Sequence, residues 1–180
     1  MLPKRKIIGL CFFIFSLAPV VFPQMESPGT GEKQVSDPLF KIERSRDADK
    51  IYYQVNLTPE GTLHPVEPVT IFWKRYAEDE RTEPLTRLQR NRSYGLKYKE
   101  INARQASFCF AAFSDRTFIL KEIHPNFYRV FTQTPQGQRE LVKMYIHFSG
   151  GSFLVPLIGH ITFYLRNTST GMIETEIVKF

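Results

Sequence analysis

The chain has 180 residues, of which 42% are hydrophobic and 14% aromatic, a composition that excludes an intrinsically disordered protein. Its formal net charge is +6 at pH 7, but Lys4, Arg5 and Lys6 supply three of these charges, and residues 1–24 contain no acid. Removing these three from the 24 basic side chains leaves 21 against 18 acidic ones. This small excess argues against nucleic-acid binding, which requires a concentrated basic surface.

Residues 1–24 have the pattern of a secretory signal peptide, a cationic start followed by an apolar run over residues 7–22. As a helix, this run would rise about 24 Å, less than the ~30 Å hydrocarbon core of a membrane, and Pro19 would interrupt it. We therefore predict a cleaved signal peptide and a periplasmic or extracellular protein that contacts the membrane only through this leader. An uncleaved anchor over residues 7–22 is the alternative.

The remainder of the chain divides into a linker and one domain. Residues 25–38 are polar and rich in Gly, Pro and Ser, which predicts a flexible tether. Residues 39–180 show no second change in composition and have a suitable length for one hydrophobic core. We predict a single β domain over this range.

Nine segments of the domain combine β-branched and aromatic residues with alternating apolar and polar positions. Because such strands have one polar side, they favour antiparallel pairing. We predict a mostly β fold, an antiparallel β-sandwich or a closed β-barrel of about nine or ten strands. In chain order, the predicted strands are Leu39–Arg44, Ile51–Leu57, Val69–Arg75, Ser107–Phe113, Phe118–His124, Phe127–Thr134, Glu140–Phe148, Ile158–Leu165 and Met172–Val178.

The segment Asp79–Arg92 interrupts the strand pattern and predicts one short helix. Leu85 and Leu88 stand three positions apart among charged residues, and Pro84 suits a first helical turn. Gly95 is expected to end the helix through a left-handed cap.

Two predicted strands near the end of the chain, Glu140–Phe148 and Ile158–Leu165, alternate clearly between inward and outward residues. Alternation places Val142, Met144 and Ile146 inward and His147 outward on one strand, and it places His160 outward on the next.

A basic stripe is the first candidate binding site. Residues 87–104 contain six basic side chains and one acid, with two interleaved tyrosines. Such a stripe attracts a phosphate, an anionic lipid headgroup or an acidic glycan, unless the acids at 78–83 neutralise it as an ordinary solvated surface. The residues of this predicted site are Arg87, Arg90, Arg92, Lys97, Lys99, Tyr94 and Tyr98.

Familiar catalytic and cofactor signatures are absent from the sequence, which has no G-x-S-x-G motif, no phosphate-binding loop and no paired-cysteine metal motif. We therefore predict no catalytic residue, no metal and no cofactor. Cys109, between two phenylalanines, is expected to be a small buried hydrophobe. His147 and His160 are the only basis for an enzyme, since their predicted strands are consecutive and one ring can act as a general base.

Two stretches of the chain resemble an uncharacterised family of exported bacterial domains of unknown function. They read HPVEPVTIFWKRYAEDERTEPLTRLQRNRSYGL and, upstream, FKIERSRDADKIYYQVNL. The resemblance implies a domain identity over nearly all of residues 39–180 but no activity for any residue. Trp73, on independent grounds, is expected to anchor the core beside the helix. The matching positions are Pro68, Val69, Trp73, Glu83, Leu85, Leu88, Tyr94, Gly95 and Leu96, with Arg44, Ser45 and Asn56 upstream.

These predictions favour a non-catalytic envelope or periplasmic binding module for a small or anionic ligand, such as a small molecule, a lipid or an anionic glycan. Two alternatives remain open. One is an exported hydrolase that uses His147 and His160, and the other is a structural or partner-docking envelope protein with an exposed apolar patch.

Overall fold

The computed structural model describes residues 37–76, 78–151 and 156–180, so the predicted leader and all but the last two residues of the predicted tether lie outside it. Of the described residues, 67% are in strands, which confirms a mostly β fold with one short helix. The elements are β1 (Phe40–Arg44), β2 (Asp47–Val55), β3 (Val69–Arg75), β4 (Arg81–Pro84), α1 (Arg87–Arg92), β5 (Leu96–Ile101), β6 (Gln105–Phe110), β7 (Phe113–His124), β8 (Phe127–Thr134), β9 (Gly137–Gly151), β10 (Pro156–Asn167) and β11 (Ile173–Lys179).

The strands form one curled sheet, a half-barrel in which nine strands follow the order β4-β3-β2-β1-β9-β8-β7-β6-β5. The long strand β9 is the branch point, because it pairs with β8 and then β1 along one edge and with β10 along the other. Strand β11 continues the sheet beyond β10. Among the described residues no pairing joins β4 to β5, and neither a closed barrel nor a sandwich is confirmed.

One strand pair departs from the predicted antiparallel arrangement. The pair β1–β9 is parallel, with Ile42 beside Met144, whereas every other described strand pair is antiparallel. The two strands are about one hundred residues apart in the chain, so no hairpin fixes their relative direction.

The described part of the chain contains eleven strands rather than nine or ten, because the sequence pattern missed β4 and β5. Strand β4 has no apolar alternation, and it forms by folding back on β3 through a turn where Asp79 and Glu80 have positive φ. Strand β5 lies inside the basic stripe, and a bulge after Tyr98 limits its alternation of apolar and charged residues to the first four positions, 96–99.

Helix α1 is shorter than the predicted range and begins later. Pro84 is the last residue of β4 rather than part of a first helical turn. Thr86 is the N-cap, and it forms a capping box with Gln89 that satisfies backbone groups of the first turn.

The predicted left-handed cap at Gly95 is wrong, since Gly95 is not among the residues of positive φ. A glycine is required there for a different reason. A Cβ atom at this position would lie 1.8 Å from the carbonyl oxygen of Arg90, closer than any side chain can approach. Because Gly95 has no side chain, the chain can pass from α1 into β5 in close contact with the backbone of the helix.

Aromatic residues of the paired strands β6 and β7 form the centre of the core. Phe108 and Phe118 are fully buried and stacked with ring centroids 5.7 Å apart, and Phe110 meets Phe118 edge-on at 5.1 Å. Cys109, which lies between Phe108 and Phe110 in β6, is buried, as predicted. This packing explains the high aromatic content of the chain.

A β-bulge in β9 changes which of its residues face the core, compared with the prediction. The pairing with β10 passes from Lys143 to Leu141 and leaves Val142 without a partner. Leu141 is therefore fully buried and Val142 only half-buried, so the prediction for Val142 is wrong. Met144 and Ile146, beyond the bulge, are buried as predicted.

Candidate functional site

Helix α1 is tied to the core by one glutamine and one tyrosine. The indole Nε1 of Trp73 donates a 3.2 Å hydrogen bond to Oε1 of Gln89, and the ring of Tyr94 packs edge-on against the indole at 5.5 Å. The hydroxyl of buried Tyr53 donates a 2.7 Å bond to the carbonyl oxygen of Tyr94. Trp73 therefore anchors the core beside the helix, as predicted.

A cavity of about 300 Å³ lies where α1 ends, and we call it the Arg92 cavity. Its walls come from β1, β6, β7, β9, β10 and the last residue, Phe180. Nearly all of them are apolar, including Phe113 and Phe148, while the polar lining consists of Arg92, Ser93 and Tyr94. Its polar atoms are thus concentrated on the side of α1.

A second cavity, of about 320 Å³, lies beside Arg90 of α1, and we call it the Arg90 cavity. Val69, Leu96 and Tyr98 contribute to its walls. Arg90 forms an ion pair with Glu67, which also lines this cavity. Since that acid already neutralises the guanidinium, the Arg90 cavity attracts an anion less than the Arg92 cavity does.

Burial affects the tyrosine of the Arg90 cavity. Tyr98 packs against Phe108 at 6.1 Å, and burial raises the pKa of the Tyr98 hydroxyl, so the phenol is neutral at ordinary pH.

The structure distributes the seven residues of the predicted basic site over different places. Arg90 and Tyr98 line the Arg90 cavity, whereas Arg92 and Tyr94 line the Arg92 cavity. The other three, Arg87, Lys97 and Lys99, are exposed and line neither cavity. Binding by any of the seven stays a prediction.

The two lysines of β5 point away from the cavities. Lys97 alternates with Leu96 and Tyr98, which face the Arg90 cavity, so it lies on the opposite face of the strand. Lys99 donates a 2.9 Å hydrogen bond to the hydroxyl of Thr117.

Sequence reasoning missed Arg46 as a neighbour of the Arg92 cavity. Its guanidinium lies 4.8 Å from the ring centroid of Phe148, a cavity residue, and donates to the carbonyl oxygens of Gly150 at 3.1 Å and Gly151 at 3.2 Å. The only available signal was its position after β1, which does not reveal a contact made about one hundred residues away.

The two histidines do meet, as predicted, and their rings stack with centroids 4.6 Å apart. His147 is paired directly with His160 across β9 and β10, on the face opposite the Arg92 cavity, since their neighbours Ile146 and Ile161 line that cavity. Within the described ranges no carboxylate bonds to either ring, and no group of three His, Cys, Asp or Glu side chains could hold a metal. The pair therefore lacks the third group that orients a catalytic base.

None of the helices within residues 37–76, 78–151 and 156–180 is long and apolar enough to cross a membrane.

Fold and site together define a mostly β domain built around a small apolar cavity with a basic rim. Over residues 40–176 the chain matches the model of a family described as a domain of unknown function (DUF4833), and it belongs to that family. The resemblance seen in the sequence is therefore confirmed. No curated protein and no solved structure matches the chain.

Proposed function

We propose that the domain is a non-catalytic binding module that holds a small ligand in the Arg92 cavity. The supporting observation is the cavity itself, whose apolar walls meet a cluster of polar groups on one side only. Ligand sites in proteins usually combine such walls with a few polar groups that orient the ligand. At about 300 Å³, the cavity is at the small end of the usual range, so its ligand is small.

A fluorescent probe and a blocking variant test this proposal. The probe is anthranilate, a fluorescent aromatic carboxylate of about ten non-hydrogen atoms, whose fluorescence anisotropy rises when it binds to a protein. Ala112 is exposed and lines the cavity, so Ala112→Trp should fill the entrance without disturbing the core. The matched control is Ser114→Trp, which is equally exposed but does not line the cavity.

We expect one saturable site in the full chain, at least tenfold weaker binding in Ala112→Trp and unchanged binding in Ser114→Trp. If Ala112→Trp binds the probe as tightly as the unaltered chain, the Arg92 cavity is not the binding site.

We also propose that the chain is exported and that residues 1–24 are a cleaved signal peptide, on the basis of their charge and hydropathy pattern. Mass spectrometry of the chain recovered from the periplasm of a bacterial host should show loss of about 18–25 residues. Full-length chain in the membrane fraction would support the anchor over residues 7–22 instead. Full-length chain confined to the cytoplasm would refute export.

A partner-docking role is a second candidate, and strand β11 is the observation that favours it. Within the described residues, β11 pairs only with β10, and Ile173 and Ile177 are 47% and 58% exposed on it. Light scattering of the full chain tests this role. A self-associated species that Ile177→Lys dissociates would support docking through β11, and a monomer at all concentrations would refute self-docking.

A further inference from the structure

Among the described residues, the polar lining of the Arg92 cavity is confined to one side, and this restricts the shape of its ligand. Arg92, Ser93 and Tyr94 follow one another where α1 ends, while residues such as Met144, Ile158 and others from five strands form the remaining wall. A ligand that fits both surfaces has a polar group at one end and an apolar body at the other.

The charge at the rim determines the sign of that polar group. Arg92 is exposed and forms no ion pair among the described residues, and none of the described residues that line the cavity has an acidic side chain. The rim therefore favours an anion, and a guanidinium can bind a carboxylate through two parallel hydrogen bonds.

The volume of the cavity limits the length of the apolar body. A group the size of a water molecule occupies roughly 30 Å³, and the cavity measures about 300 Å³. It therefore holds on the order of ten non-hydrogen atoms.

Resting on the proposed function, we infer that the ligand class of the Arg92 cavity is a medium-length, single-chain carboxylate. Its alkyl chain lies among Phe113, Phe148 and Ile158, and its carboxylate accepts hydrogen bonds from the Arg92 guanidinium. A chain of about eight carbons fills the available volume.

Calorimetric titration of the full chain with straight-chain carboxylates of six, eight, ten and twelve carbons tests the length. Each methylene that enters the cavity raises the affinity about fourfold. We expect the affinity to rise by this factor per methylene from six to eight carbons and to stop rising by ten carbons. A gain that continues undiminished to twelve carbons would overturn the assigned length.

Octanoate, octanol and octylamine share one chain length, and they test the charge. We expect octanoate to bind about tenfold more tightly than octanol, and octylamine more weakly than either. Arg92→Ser should abolish the preference for octanoate while leaving the affinity for octanol unchanged, a result that a folding defect would not produce. The control Arg87→Ser removes an exposed arginine of the same helix that lines neither cavity, and it should keep the preference.

The outcomes separate this inference from the proposed function. Equal binding of octanoate and octanol, or tighter binding of octylamine, would overturn the carboxylate assignment and leave the binding module standing. Binding of anthranilate without binding of any eight-carbon compound would also refute the single-chain ligand alone. If neither anthranilate nor any eight-carbon compound binds, both the inference and the proposed function are wrong.

Discussion

Gly95 provides a sharp test of how α1 is joined to the sheet, through the substitution Gly95→Ala. The added Cβ would lie 1.8 Å from the carbonyl oxygen of Arg90 and 2.6 Å from its carbonyl carbon. Both are backbone atoms, so no change of side-chain rotamer relieves the overlap. The connection between α1 and β5 has to move instead.

The size of the effect follows from what this movement breaks. Cβ atoms essentially never approach a neighbour closer than 3.0 Å, so the 1.8 Å contact must open by about 1.2 Å. Two hydrogen bonds flank the contact, from the Tyr94 N–H to the Gln89 carbonyl at 2.9 Å and from the Ala111 N–H to the Gly95 carbonyl at 2.8 Å. Losing both costs about 2 kcal/mol, and backbone distortion adds about 1 kcal/mol. We expect a loss of about 3 kcal/mol in the free energy of unfolding.

Urea unfolding of the full chain measures this loss, because Trp73 is the only tryptophan and is fully buried beside α1. The matched control is Gly171→Ala, where φ is 74° and a Cβ would meet nothing within 4 Å. There the only cost is left-handed backbone strain, about 1 kcal/mol. If Gly95→Ala costs no more than Gly171→Ala, the close approach to Arg90 does not govern this position.

Three further substitutions test the core and the ionisable groups by the same urea measurement. Phe118→Ala should lower the free energy of unfolding by about 4 kcal/mol, because Phe118 is fully buried among aromatic rings; a loss below about 1 kcal/mol would contradict its central place. Burial raises the pKa of Tyr53 well above its usual value, so only the unfolded chain ionises this phenol near pH 10. The free energy of unfolding should therefore decrease as the pH rises above about 10, and this decrease should be smaller in Tyr53→Phe. For Glu43, burial raises the pKa, but hydrogen bonds and charges from Lys41 and Lys143 outweigh it and leave the pKa lowered. Ionised Glu43 therefore stabilises the fold above its unfolded pKa of about 4.3, and this stabilisation is lost as the pH falls below that value. In Glu43→Gln the free energy of unfolding should fall less steeply with acid, and an equally steep fall would refute this role.

Alternation of apolar and polar residues was sufficient to predict most strands, because one side of each faces the core. In β2, Ile51 and Tyr53 are both fully buried, as their period of two requires. The same reasoning failed at β4, whose residues are mostly exposed and whose structure depends on pairing with β3. It also failed at Val142, because a bulge changes the face without changing the local pattern.

The candidate site was only partly predictable, because its residues meet through contacts that are distant in sequence. Two residues of the stripe, Arg92 and Tyr94, line the cavity, but ligand binding by them stays a prediction. It could not reveal that Ile42 and Phe180 line the same cavity, since these residues are separated by most of the domain. The parallel pair β1–β9, which brings one of these walls into place, has no local signature in the sequence.

The positions that carry the family resemblance and the positions that form the proposed ligand contact differ in kind. Trp73 and Gly95 fix α1 against the core, one by a hydrogen bond to Gln89 and the other by its lack of a side chain. Leu85, just before the helix, is buried. Arg92 is not among the matching positions, although its placement depends on all three. These three positions therefore hold the helix that carries Arg92, whereas the charge of Arg92 at the rim of the cavity is a separate property of this chain.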